Sequence, residues 1–169
     1  MSRLIALSIC VVTLGLHGAL APGALAADVA RGKYLVSIAG CNDCHTPGYF
    51  FGKADESRYL GGSDVGFEIP NLGIFHGPNL TPDKETGLGG WTDEQIVTAF
   101  TTGKRPDGRE LAPVMPWRAF ANFSKEDVAA IVAFLRTLPP VHNKVAGPYG
   151  SAEQSTAFVM KIVPGGQKK

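Results

Sequence analysis

Cys41-Asn42-Asp43-Cys44-His45 constrains this chain more than any other stretch. C-x-x-C-H is the attachment signature of c-type haem. Two thiols at this spacing reach the two vinyl groups on one edge of a porphyrin and form thioethers. The histidine directly after them is carried under the ring, where its imidazole coordinates iron. Other readings of the same residues account for less. A thioredoxin-like redox pair belongs in a βαβ context, and no strand pattern precedes the motif. A zinc site needs two more ligands at metal spacing, and no second cysteine pair exists. A disulfide across two intervening residues leaves His45 without a role.

The remaining cysteine, Cys10, falls inside an N-terminal segment that reads as an export signal. Arg3 gives a positive start, residues 4–16 an apolar run, and Ala24-Leu25-Ala26 a small-x-small cleavage site. The expected leader is residues 1–27, cut near Ala26 or Ala27, which directs the protein to the periplasm. The alternative is an uncleaved anchor, for which the apolar run is short and is broken by Pro22 and Gly23. Cleavage removes Cys10, and it removes Arg3 from 16 basic residues that otherwise face 15 acidic ones. A mature chain with so little net charge lacks the basic excess of a nucleic-acid binder. The 169 residues suffice for one ordinary domain, and a hydrophobic content of 44% argues against disorder.

A sixth iron ligand separates a carrier from an enzyme. Outside the leader the candidates are Met115, Met160, His76 and His142. Met115 lies in Ala112-Pro113-Val114-Met115-Pro116-Trp117, where the prolines stiffen the loop enough to hold a weak thioether ligand. A core-plugging methionine more typically sits on a helix face. Met160, in Ala157-Phe158-Val159-Met160, reads as a packing residue. His76 reads as a surface or loop hydrogen-bonding residue and His142 as solvated. Ligation by His45 and Met115 raises the reduction potential relative to two histidines and leaves no open iron site.

Periodicity places a first helix at 29–39, capped by Asp28 and stopped by Gly40, with Val29, Tyr34, Leu35 and Ile38 facing a core. Residues 46–90 are rich in Gly, Pro and Asn and show no helical period. Such a loop is expected to wrap a cofactor, with Phe50, Phe67, Ile74, Phe75 and Leu80 among its apolar contacts. Thr92-Asp93-Glu94-Gln95 has the form of a capping box before Ile96, Val97, Ala99 and Phe100, and Gly103 ends that helix. Ser124 opens a last helix whose stripe is Val128, Ile131, Val132 and Leu135, closed by Pro139-Pro140. The order is helix, haem motif, loop, helix, methionine loop, helix. The expected fold class is all-α: a small haem domain of three to five helices with long haem-wrapping loops.

With its pentapeptide, Met115, Gly77-Pro78-Asn79-Leu80-Thr81-Pro82-Asp83, Gly90-Trp91-Thr92-Asp93-Glu94 and Leu138-Pro139-Pro140, the chain resembles a class I bacterial c-type cytochrome. It is similar to the haem domains in cytochrome subunits of membrane-associated dehydrogenases for alcohols, aldehydes and sugar acids. The resemblance implies a cytochrome c domain over 28–141, a C-terminal extension over 142–169, and first and last helices crossing with Gly32 or Tyr34 near Phe134 or Leu135. It also implies that Asn79, Leu80, Trp91, Pro113 and Trp117 wall the haem pocket, although either tryptophan serves equally as ordinary core. Arg105 and Arg109 pair with a haem propionate or form a solvated turn around Pro106-Asp107-Gly108. Such subunits commonly carry three haem domains, whereas this chain has one motif.

The functional expectation is a periplasmic electron carrier with one covalent haem c. It takes electrons from a dehydrogenase and passes them to a respiratory acceptor, meeting a membrane only through partners or an uncleaved leader. As a carrier it has no catalytic residues. Alternatives are a small haem enzyme or a gas sensor with a displaceable sixth ligand. Residues 151–163 supply docking surface, pack back on the domain or remain disordered.

Overall fold

Gly32 fixes the central packing of the fold. A Cβ on it would sit 1.9 Å from the carbonyl oxygen of Ala130 and 2.8 Å from Phe134 Cβ, so only a glycine lets the two backbones meet. The helices that cross there are α1 (Pro22–Ile38) and α5 (Lys125–Thr137), at the two ends of the expected haem domain. The computed structural model describes residues 22–150, 155–163 and 165–166, with side chains from Asp28 onward. The apolar run of the expected leader lies outside the described residues.

α1 begins before the expected 29–39, so Asp28 is inside the helix and does not cap it. Ala24, Ala26 and Ala27 are strong helix formers, and Pro22 suits a first helical position. Its buried face is also rotated from the expected one. Leu35 and Val36 are buried, whereas Tyr34 and Ile38 are 55% and 60% exposed. The Tyr34 ring instead lies 5.7 Å from the Arg31 guanidinium, and Arg31 pairs with Asp127 of α5 at 2.9 Å. Leu35, Val36, Leu60, Ile131, Phe134 and Leu135 form the core between the helices.

α2 (Cys41–His45) follows α1 after Gly40, whose φ of 68° turns the chain through the left-handed region. α3 (Asp93–Thr102) carries the expected capping box: the Gln95 amide donates to Thr92 Oγ1 and the Thr92 amide to Gln95 Oε1. Ser124 caps α5 by accepting from the Asp127 amide. The short α4 (Trp117–Phe120) turns Phe120 onto Phe100 of α3, the rings stacked 4.8 Å apart.

The fold adds a small sheet to its helices. β1 (Val65–Ile69) pairs antiparallel with β2 (Gly73–His76) inside the segment expected to be a loop. β3 (Phe158–Lys161), from the C-terminal extension, lies parallel along the other edge of β1. Val65-Gly66-Phe67-Glu68-Ile69 alternates in the strand period, and Pro70-Asn71 supplies the turn, Asn71 at a φ of 65°. Phe67 and Phe75 are partners across β1 and β2, so their rings share one face. Among the described residues no helix is long and apolar enough to cross a membrane.

Candidate haem site

A cavity of about 510 Å³ opens between the one-turn helix α2, the β1–β2 hairpin, α3 and the loop before α4. Cys41, Cys44, His45 and Met115 all line it, as do Asn79, Leu80 and Trp91. Pro113 and Trp117 do not. Pro113 is exposed on the outside of the methionine loop. The Trp117 indole lies against Gly103, within 2.5 Å of where a Cβ would be, so it closes the helix end and not the pocket. The spacing of Trp117 from Met115 gave no sign of this. α4 begins at Trp117 and turns its ring away.

His45 is buried, and its Nδ1 lies 2.7 Å from the Pro78 carbonyl oxygen. With Nδ1–H donated there, Nε2 is left with its lone pair for a metal, and the ring is fixed in orientation. The backbone holds the same turn from two sides. Gly62 donates to the His45 carbonyl at 2.8 Å. Gly77 passes so close that a Cβ would fall within 1.6 Å of the Cys44 carbonyl oxygen. Thr46, fully buried, donates to Asn42 Oδ1 at 2.7 Å and accepts from the Leu60 amide at 2.9 Å.

The two thiols are free. Burial pushes the Cys41 thiol up to about 11, and burial followed by the Asp43 carboxylate raises Cys44. A redox-active pair needs the opposite, a stabilised thiolate. Neutral thiols on an apolar wall suit thioether formation.

Met115 is half-buried on a braced loop. Lys104 and Glu110 form an isolated antiparallel bridge, Leu111 donates to Gly103 at 2.7 Å, and the Met115 amide donates to Ala112 at 2.9 Å. On the same loop Arg105 and Arg109 both line the cavity. The Arg105 guanidinium lies 5.0 Å from the Trp91 ring and 3.3 Å from Asp107 Oδ2. Arg109 has its pKa lowered by burial and then by Arg105 beside it.

Of the other ligand candidates, His76 also lines the cavity, whereas Met160 and His142 do not. Met160 is 41% exposed on β3, and His142 is exposed beside Asp83. His76 differs from expectation: both its ring nitrogens are buried without a hydrogen-bond partner, against the edge of Tyr149. Pairing of β1 with β2 turns the ring over Gly66, where a Cβ would meet it at 2.7 Å. The Pro78 carbonyl and the wall formed by residues 144–148 escaped the sequence reading. Gly77-Pro78 was a usable signal for the first, since a bare backbone is what close approach to His45 requires.

Fold and site together define a small domain built to carry c-type haem: a C-x-x-C-H turn on a largely apolar cavity, with a methionine loop on its wall. The chain belongs to the cytochrome c family, whose model matches residues 29–139. Covalent haem c comes with that membership. The chain is 36% identical over 111 residues to the fructose dehydrogenase cytochrome subunit of Gluconobacter japonicus, covering 65% of this chain and 21% of that protein. It is 31% identical over 144 residues to a diheme c-type cytochrome of Cereibacter sphaeroides, covering 85% and 46%. To the cytochrome c subunit of the quinone alcohol dehydrogenase of Gluconobacter oxydans it is 34% identical over 106 residues, covering 63% and 20%. This chain thus spans between a fifth and just under half the length of these relatives. Two of these relatives are named as cytochrome subunits of dehydrogenases.

Proposed function

We propose that this protein is a periplasmic carrier of single electrons that would hold one haem c through thioethers at Cys41 and Cys44, with His45 and Met115 as the residues that would ligate its iron. The observation that carries the reading is the His45 ring, held at Nδ1 by the Pro78 carbonyl on a cavity that Met115 also lines. When bound, the haem supplies an iron that alternates between ferrous and ferric states. The chain's own residues do the rest. Pro78 orients the imidazole, and the braced loop presents the Met115 sulfur. Asn79, Leu80 and Trp91 wall the pocket, and Arg105 and Arg109 offer cationic partners for propionates. Fixed ligands keep the cost of reorganising the site small at each transfer.

The donor is a dehydrogenase acting on an alcohol, aldehyde or sugar acid, and the acceptor a respiratory component. The relatives named as subunits of fructose and alcohol dehydrogenases support a dehydrogenase donor. Near-neutral net charge favours docking by apolar contact over strong steering. The test is the visible spectrum of the purified protein, ferric and ferrous, with and without carbon monoxide. A methionine-to-iron charge-transfer band in the ferric form, with no response to the gas, is expected. Met115→Ala should remove the band, lower the potential and admit carbon monoxide. A wild-type protein that binds the gas freely would make it an enzyme or sensor instead.

A further inference from the structure

The family match stops at residue 139, yet residues 144–148 line the haem cavity. This stretch has no helix or strand of its own. It is tied down at both ends. At one end the Val141 amide donates to Thr81 Oγ1 at 3.0 Å and the Asn143 amide to Thr86 Oγ1 at 3.0 Å. The Asn143 side chain donates to the Gly61 carbonyl at 2.8 Å. At the other end Tyr149 and Ile74 exchange both backbone hydrogen bonds, at 2.8 and 3.0 Å. Between the anchors Val145 Cγ2 fills the space that a Cβ on Gly62 would take, and Gly62 is the residue that donates to the His45 carbonyl.

We propose that residues 141–149 are a positioning strap that closes the haem cavity on the His45 side and, by excluding water there, raises the reduction potential of the haem. The proposal rests on the haem reading above. The physical reason is the charge difference between oxidation states. Ferric haem carries one more positive charge than ferrous, so a water-free apolar wall disfavours it, and admitting water stabilises it. Attachment at Cys41 and Cys44 does not involve the strap, so loosening it changes potential without emptying the site. Lys144, at the rim, adds a cation whose influence salt screens, whereas exclusion of water by Val145 is insensitive to salt.

The experiment uses the full-length haem-loaded protein, with loading confirmed from the visible spectrum. Val145→Ser and Asn143→Ala should both lower the midpoint potential, and by the same amount at low and at high salt. The shift in Lys144→Gln should shrink as salt rises. In Asn143→Ala the Ile74 and Tyr149 amides should exchange with solvent roughly tenfold faster than in the wild type. Loaded Val145→Ser and Asn143→Ala proteins with unchanged potentials would overturn the strap and leave the haem reading intact. So would wild-type Ile74 and Tyr149 amides that exchange as fast as an unprotected loop, a measurement needing no variant. Wild-type protein that never acquires haem would overturn both.

Discussion

Asn79→Ala tests whether the wall of the cavity is held by hydrogen bonding or only by packing. The Asn79 side chain is buried and makes four hydrogen bonds: its amide donates to Thr86 Oγ1 at 3.1 Å and to the Val141 carbonyl at 2.6 Å, and its oxygen accepts from the Thr81 amide at 2.9 Å and the Thr81 hydroxyl at 2.7 Å. The partners do not suffer equally from truncation. Thr86 keeps its bond to Asp83, and the Thr81 hydroxyl still accepts from the Val141 amide. The Thr81 amide, fully buried, loses its acceptor, and the Val141 carbonyl keeps only a 3.5 Å contact from Thr86. Two orphaned groups at 1–3 kcal/mol each give a loss of about 3 kcal/mol. That is a large share of the 5–15 kcal/mol typical of a whole domain, and on the order of 10 °C in midpoint temperature. Urea unfolding followed by far-ultraviolet circular dichroism measures it. A loss below about 1 kcal/mol would mean that water replaces Asn79 freely and that its bonds do not hold the wall.

Gly32→Ala should prevent α1 and α5 from closing, because the Ala130 backbone cannot move aside as a side chain would. Thermal unfolding should reveal a cost of at least about 3 kcal/mol or no folded protein. Arg136 donates to the Leu88 and Trp91 carbonyls at 3.0 and 2.6 Å and to Asp93 at 2.9 Å, a fork that lysine cannot match. Arg136→Lys should cost about 1–2 kcal/mol in denaturant titration, and an unchanged midpoint would contradict this account of the α3–α5 junction. The Ser57 hydroxyl, then Arg58, hold the Asp55 carboxyl down to about 2 from an ordinary 3.8. A depressed folded-state pKa means stabilisation that is present above pH ~4 and fades as pH falls toward 2. The gap in melting temperature between wild type and Asp55→Asn should therefore be visible at pH 5 and disappear near pH 2.

The helices and the haem-bearing turn were legible because their signals are local. Thr92 and Gln95 cap α3 as their spacing requires, and Gly103 ends it in the left-handed region. The C-x-x-C-H run, Met115, Asn79, Leu80 and Trp91 all reach one cavity. What the sequence did not disclose depends on partners far along the chain. The alternation in β1 is short and lies among Gly and Pro residues, and its pairing with β3 links Val65 to Phe158. Tyr34 and Ile38 read as core because a period alone does not say which face of α1 meets α5. Gly32 decides that, through contact with Ala130. Trp117 and Pro113 adjoin Met115 in sequence, but the turn into α4 points one away and leaves the other outside.

The crossing of α1 and α5 also governs how this chain reaches its fold. Arg31 and Asp127, paired across that crossing, are 96 residues apart. Closing a loop of that length costs about 2 kcal/mol more than closing one of ten residues, and it must occur before the core can form. The contacts across that crossing therefore come late, which places the folding rate below that of a helical bundle with neighbouring partners. Until the terminal helices meet, the Leu35 and Val36 face of α1 lacks its packing against Ile131, Phe134 and Leu135, and a chain held short of that step exposes an apolar face open to aggregation.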